Sequence, residues 1–342
     1  MLHFKQNQFI SKESTLQIKG VAILLMLFLH LFNNSSRYDG MESLFYIGTE
    51  PLCWWISQIC GICVPIYLIL SGYGLWIVYN RGTKMHNLRR VIFLFLNACL
   101  VGFLFFPLSY FFRESPYSYD FTKLLFSLTG IDPYNGEWWF LFPWAMICLC
   151  SKYIFRIVEK MGTLKSLIFF YILTTLVSWF ISRHGGFLYV MPWRIPYQGI
   201  LFINLLFPFI LGALAAKTGV FAYVQSLQGK QKCVICAVVF VALFIRMFLF
   251  HHSTFNSFLA FGVCCVFLMF KNNVLLTNLG TRSTNMWLTH TFFCVYYFHD
   301  FFESMKYPIW MFLVLVLYSY IVACFIDYFF LPMKQGILAK LK

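Results

Sequence analysis

The sequence predicts an all-α polytopic integral membrane protein of about ten transmembrane helices, with both termini cytoplasmic. Three observations carry this. Of 342 residues, 61% are hydrophobic and 11% charged, whereas a soluble domain carries about 25% charged residues. The apolar residues fall in repeated runs near the ~20 residues that cross a bilayer. Lys and Arg collect on alternate connections, as the positive-inside rule requires. The runs are approximately 18–34, 51–79, 91–112, 138–156, 165–182, 199–217, 233–250, 255–270, 284–302 and 308–331. With the lead inside, most of the 26 Lys and Arg lie at the inner face; Arg37, Arg113, Lys123, Arg183, Arg194 and Lys306 lie outside, and Arg246 lies within a span. The net charge of +14 therefore records topology and gives no ground for a nucleic-acid partner.

Residues 1–17 form a polar cytoplasmic lead, 18–331 the membrane domain and 332–342 a short basic tail. No internal repeat or soluble domain is evident. The first run lacks a small-residue cleavage site, so it is expected to persist as a span. The 12 cysteines lie almost wholly in apolar runs, including the pairs Cys60/Cys63 and Cys233/Cys236. No further ligands are arranged around either pair, so they read as buried small apolar residues and no metal is expected.

The first run, IKGVAILLMLFLHLF, carries Lys19 and His30. Eleven residues are about three helical turns, so the two side chains share a face and stand roughly 16 Å apart along the axis. A cation near a helix end can snorkel to the headgroups. An imidazole most of the way across is costly and calls for a cavity or a partner. The helix alone leaves open whether His30 is functional or a structural histidine bonded to a neighbouring helix.

The second run is long. Pro65 invites a kink, and Gly61, Gly72 and Gly74 with Ser71 let backbones approach closely; either helix packing or a ligand passing near the backbone would use them. Residues 80–90, NRGTKMHNLRR, hold the densest basic cluster: Arg81, Lys84, His86, Arg89 and Arg90. Such clusters anchor topology, and they also suit anionic phosphates, because arginine binds them bidentately.

Residues 113–137 are the longest outer loop, with Tyr117, Tyr119, Phe121, Phe126 and Tyr134 beside Arg113, Glu114, Asp120 and Asp132. Aromatic faces among acids suit a sugar, and equally suit interfacial anchoring; residues 124–128 read as a short interfacial helix. Glu137, Trp138 and Trp139 open the fourth span, where a carboxylate beside two indoles is a candidate ligand contact. The 183–198 loop, with Arg183, His184 and Arg194, could help cover an outward-facing pocket. The turn-rich loop 33–40 and the pair His251/His252 read as ordinary outer turns. The ninth span reads as capped by Ser283 and Thr284, and His290 within it is a second intramembrane histidine.

Several of these features share an order. Lys19, ten residues, then His30; YLILSGYGLW in the second span; a basic segment; WWFL; LFPFILGALAAKTG; and LGTRSTNMWLTH. In this order the chain resembles the membrane-bound acyltransferase family 3, whose members acylate sugars on surface glycans, over about residues 14–331. The resemblance implies an acyl-CoA donor, commonly acetyl-CoA, taken from the cytoplasm, and an acceptor hydroxyl met from the other side. His30 matches the family's essential histidine and Lys19 the basic partner of that motif. One departure stands out: the family's Arg-x-x-Arg has no full counterpart, since Arg89 and Arg90 are adjacent and are preceded by His86 and Asn87, while Arg81 and Lys84 have the spacing but sit early.

The expected activity is therefore O-acetyl transfer from acetyl-CoA to a cell-surface or lipid-linked sugar in a bacterial inner membrane. His30 would be the general base, the residue type best matched to neutral pH. Lys19, Arg89 and Arg90 would hold the coenzyme, and Glu137, Trp138 and Trp139 the acceptor. Ser71 and His290 make a secondary site. The alternatives are a transporter or flippase of a glycan or small solute, and a membrane sensor or assembly factor that keeps the fold without chemistry. The absence of an inverted repeat and the scarcity of intramembrane acids weigh against transport.

Overall fold

The computed structural model describes residues 9–34, 41–118, 120–190, 194–248 and 255–340. Residues 35–40 of the first outer loop, Tyr119, His251 and His252 lie outside the described residues. The chain is helical almost throughout, with one two-residue antiparallel pairing, Tyr46–Ile47 with Glu50–Pro51. Among the described residues, eight helical segments are long and apolar enough to cross a membrane: Lys12–Phe32, Leu52–Asn80, Asn87–Phe112, Gly136–Met161, Thr163–Val190, Ile195–Thr218, Lys230–Phe248 and Pro308–Ile337. The two other expected spans are helices of a different kind. Asn256–Leu268 has 13 residues, about 20 Å of rise against a hydrocarbon core of about 30 Å. Val274–Thr291 is rich in polar residues and faces inward.

We number the helices that position the site: α1 (Lys12–Phe32), α2 (Leu52–Cys60), α3 (Cys63–Asn80), α4 (Asn87–Phe105), α5 (Phe121–Thr129), α6 (Leu141–Met161), α7 (Thr163–Val190), α8 (Ile195–Asn204), α9 (Leu206–Thr218), α10 (Lys230–Phe248), α11 (Asn256–Leu268), α12 (Val274–Thr291) and α13 (Pro308–Lys340). The bundle is built on two close helix pairs, α1 with α12 and α3 with α9. Both pairs meet at glycines. A Cβ at Gly20 would stand 2.0 Å from the Leu276 carbonyl oxygen, and one at Gly280 would stand 1.9 Å from that of Leu16. Gly72 and Gly212 abut the Phe209 and Ile69 carbonyls at 1.9 Å each in the same sense. Small residues bring helices together where lipid offers no hydrophobic drive of its own. Around this centre α7 and α10 are peripheral, with most of their side chains turned outward.

Two of the spans around the site stop and restart, and for one reason. The second span stops at Cys60 and restarts at Cys63; the sixth stops at Asn204 and restarts at Leu206. In each, a proline, Pro65 or Pro208, stands in the first turn of the restarted helix, where its missing N–H costs nothing. Inside an unbroken helix the same proline would have robbed a carbonyl of its donor. The kink expected at Pro65 is thus a full break just ahead of it.

Two sequence expectations are corrected. Ser283 and Thr284 do not begin a helix: α12 starts at Val274, capped by the Asn273 side chain, which accepts from the Leu276 N–H. Its polar residues lowered the hydropathy because they face the bundle interior rather than lipid. Residues 183–190 are not loop: α7 runs on to Val190 through Gly185 and Gly186. Each glycine costs only about 1 kcal/mol against alanine, and glycine is frequent in membrane helices. The short helix expected at 124–128 is α5, begun by Asp120, which accepts from the Lys123 N–H, and ended by Gly130 at φ 75°.

Candidate active site

His30 sits in the last turn of α1, and its Nε2 lies 3.2 Å from a Glu137 carboxylate oxygen. Both are largely enclosed, with side chains 12% and 21% exposed. Glu137 belongs to a short 3₁₀ turn, Gly136–Phe140, and several bonds fasten that turn to the bundle. Asn135, wholly buried, caps it by accepting from the Glu137 N–H at 3.1 Å. The Thr291 hydroxyl donates to the same Asn135 oxygen at 2.9 Å. The Trp287 indole donates to the Glu137 carbonyl at 3.1 Å, and the Trp138 indole to the Leu288 carbonyl at 3.0 Å. Tyr296 accepts from the Gly136 N–H at 3.0 Å. The backbone that carries the carboxylate is therefore fastened opposite the imidazole.

His290, fully buried, packs beside His30 with ring centroids 5.1 Å apart. Its Nδ1 is 2.8 Å from the Trp287 carbonyl. A carbonyl only accepts, so this nitrogen carries the proton. Directly after it the helix widens into a π-turn, Phe292–Tyr297, a distortion found most often at functional sites.

Two spaces lead toward this pair from the Lys19 end of the bundle. A cavity of about 530 Å³ is lined by His86, Arg89, Arg90, Arg282 and Lys334 together with Asp327. Next to it, a cavity of about 170 Å³ is lined by Lys19, Met26, Tyr67, Ser71, Phe140, Trp144 and Trp287. Leu94 and Thr284 line both. Trp287 forms part of the wall between the second cavity and Glu137. On the other side His30 and Glu137 line a third cavity of about 290 Å³, which runs between α3, α7, α9 and α11. The helix breaks open onto it: Gly61, Pro65, Asn204, Leu205 and Pro208 are in its wall. Irregular backbone at membrane depth is tolerated where it lines a cavity.

The sequence-selected residues sort as follows. Lys19 and His30 do share one face of α1, each on a cavity. Arg89 and Arg90 face the basic cavity with His86, which takes up the place three residues before Arg89; His86 has φ 50° at the head of α4. Arg81 and Lys84 are exposed and do not line it. Ser71 donates to the Tyr67 carbonyl and accepts from the Trp144 indole, placing it on the Lys19 cavity and away from His30. Trp139 lines the His30 cavity, whereas Trp138 is wholly buried and lines none of these three. Trp139 also borders a cavity of about 280 Å³ with Tyr189, Tyr197 and Arg194. There Arg194 pairs with Asp132 at 2.7 Å and lies 3.7 Å over the Tyr189 ring. In the loop after the third span Arg113 lies 4.6 Å over the Tyr117 ring, and burial pushes the Tyr117 hydroxyl up to about 12. Cys60 and Cys63 are buried, while Cys233 is exposed on α10.

Sequence reasoning missed Trp287, Arg282, Lys334 and Asp327. Asp327 pairs with Arg282 and accepts from Asn285, which in turn accepts from Asn97, joining α4, α12 and α13 at the basic cavity. An acid inside the last apolar run was the available signal.

Residues 17–328 match the family model described as an acyltransferase domain. No curated protein and no solved structure matches the chain. The matched span takes in Lys19, His30, Glu137 and the basic cavity apart from Phe330, Leu331 and Lys334, and on it the chain belongs to acyltransferase family 3, a membrane acyltransferase family.

Proposed function

We propose that the protein is a membrane O-acyltransferase that moves an acetyl group from cytoplasmic acetyl-CoA to a hydroxyl of a cell-surface or lipid-linked sugar, in a bacterial inner membrane. The observation that carries this is the His30–Glu137 pair at 3.2 Å, set where a cavity meets the wall of a second one lined by Lys19. The basic cavity suits the phosphates of the coenzyme, through Arg89, Arg90, Arg282 and Lys334. The narrow space past Lys19 then suits the uncharged pantetheine arm, which brings the thioester toward Trp287.

The acceptor hydroxyl gives its proton to His30 as its oxygen attacks the thioester carbonyl. The C–S bond breaks, and the departing thiolate takes that proton back. Glu137 offsets the positive charge that the imidazole gains meanwhile. A transient acyl group on His30 is the runner-up chemistry. The broken helices are a feature that transporters share, but a His–Glu pair reached from a basic cavity through the Lys19 cavity favours acyl transfer.

The test is purified protein with labelled acetyl-CoA, together with the acetylation state of the surface polysaccharide in cells. His30→Ala should abolish both thioester cleavage and glycan acetylation while the protein stays in the membrane. Normal glycan acetylation in cells whose sole copy is His30→Ala would refute the assignment. Solute uptake into vesicles without acetyl-CoA consumption would establish the transporter instead.

A further inference from the structure

The cavity beside His30 has a lining unlike the basic one. Six hydroxyl or amide side chains face it: Thr174, Thr175, Ser178, Asn204, Asn256 and Ser257. Among the described residues no Lys or Arg lines it, and its one carboxylate is Glu137. Such a concentration of polar groups at membrane depth is costly unless a ligand or water answers them. Thr174 is nine-tenths buried, and its hydroxyl has no hydrogen-bond partner among the described residues. The same holds for the Thr175 hydroxyl and the Asn204 side-chain oxygen. Threonines within a helix ordinarily bond back to a carbonyl one turn earlier; these two do not.

Arg246 supplies a second, independent observation. It is the one buried residue of α10, a helix otherwise turned outward, and is 7% exposed. A guanidinium inside a span marks a function by default. It does not line the cavity. Its Nε donates to the Asn256 side-chain oxygen at 3.0 Å. Because a guanidinium only donates, this bond fixes which way the Asn256 amide is turned. The amide nitrogen is thereby left on the side of Gly61, where a Cβ would stand 3.5 Å from it, and Gly61 is itself part of the cavity wall. Asn256 thus offers donors where Thr174, Thr175 and Asn204 can accept. Trp139 and Tyr171 add aromatic surface to the same wall.

We propose that this cavity is the acceptor subsite, fitted to one uncharged polyhydroxylated ring, and that Arg246 is the positioning residue that orients Asn256 within it. The inference rests on the acyltransferase reading above. Mixed donors and acceptors without a Lys or Arg match vicinal hydroxyls rather than a carboxylate or phosphate. A volume of about 290 Å³ is at the small end for ligand pockets, which run from about 300 Å³ upward.

The experiment uses the purified full-length protein with labelled acetyl-CoA and two probes, methyl glucoside and the charged methyl glucuronoside. The wild type should acetylate the neutral glycoside with at least tenfold higher kcat/KM. Thr174→Val should raise the KM for methyl glucoside tenfold or more against under threefold for acetyl-CoA, whereas Thr174→Ser, which keeps the hydroxyl, should restore it. Arg246→Met should do the same as Thr174→Val, and Arg246→Lys, which still donates to Asn256, should rescue it. Equal losses in Thr174→Val and Thr174→Ser would mark a packing defect and overturn the subsite. Preference for the glucuronoside, or normal glycan acetylation by a wild type that accepts neither probe, would overturn it too. A wild type that neither cleaves acetyl-CoA nor acetylates any glycan brings down the acyltransferase reading itself.

Discussion

Replacing Glu137 by Gln tests the centre of the mechanism. The change keeps the shape of the side chain and removes one charge 3.2 Å from His30 Nε2. The positive charge of an imidazolium spreads over its ring, so about 4 Å separates the two centres, worth about 4 kcal/mol at an effective dielectric of about 20. The pair keeps 12% and 21% of its surface, and screening trims the figure to about 3 kcal/mol, within the range for truncating one member of an enclosed charge pair. In the proposed mechanism His30 gains the imidazolium charge only as the reaction proceeds, so the loss belongs to kcat. At 1.36 kcal/mol per decade it amounts to about 10²-fold. The assay is the initial rate of labelled acetyl transfer by purified Glu137→Gln at saturating acetyl-CoA, with the KM for acetyl-CoA measured alongside. A kcat within threefold of the wild type, in protein with an unchanged melting temperature, would refute the pairing as part of the chemistry.

The remaining predictions concern the donor path and the scaffold. Lys19→Met should raise the KM for acetyl-CoA by about 10- to 100-fold, the worth of one charged hydrogen bond, as read from donor saturation curves. Arg90→Gln should raise the KM for acetyl-CoA several-fold yet leave that for S-acetyl-pantetheine nearly unmoved, because the shorter donor lacks the nucleotide phosphates; equal effects on both would place the nucleotide elsewhere. Gly212→Ala puts a methyl 1.9 Å from the Ile69 carbonyl and should cost about 1–3 kcal/mol of stability, visible as a lower melting temperature in detergent. Trp138→Phe loses the indole bond to Leu288 and should cost about 1 kcal/mol of stability, whereas Trp139→Ala should act chiefly on the acceptor KM.

The residues of one helix were the most readable part of the site. Lys19 and His30 needed only the 3.6-residue repeat to be placed on one face, and α1 bears that out. Glu137 was legible as a carboxylate beside indoles, but its partner was not, because nothing local links two residues so far apart in sequence. Trp138 and Trp139 are indistinguishable as neighbours in a string. On a 3₁₀ turn they diverge, so one is sealed against Leu288 and the other opens on a cavity. Hydropathy placed the apolar runs and misjudged α12, whose polar residues Arg282, Asn285 and His290 face other helices instead of lipid. Arg246 was visible as an oddity within a span, yet its meaning depends on Asn256 from the next helix.

Charges inside a membrane protein must be answered, and the answers here are unequal. At one end Arg89, Arg90 and Lys334 stand in the wall of an open cavity, and Asp327 offsets Arg282 alone. That end keeps a surplus of positive charge on the cavity wall, which suits an anion. At the other end His30 is met by Glu137, and no Lys or Arg stands in the wall of the cavity they line; Arg246, bonded to Asn256, lies outside that wall. On the proposed reading, an anionic coenzyme and an uncharged sugar would be sorted to opposite sides of His30 by electrostatics before any shape is read. In that reading, reversed roles would strand phosphates among threonines, so the placement of the basic side chains argues for one direction of transfer.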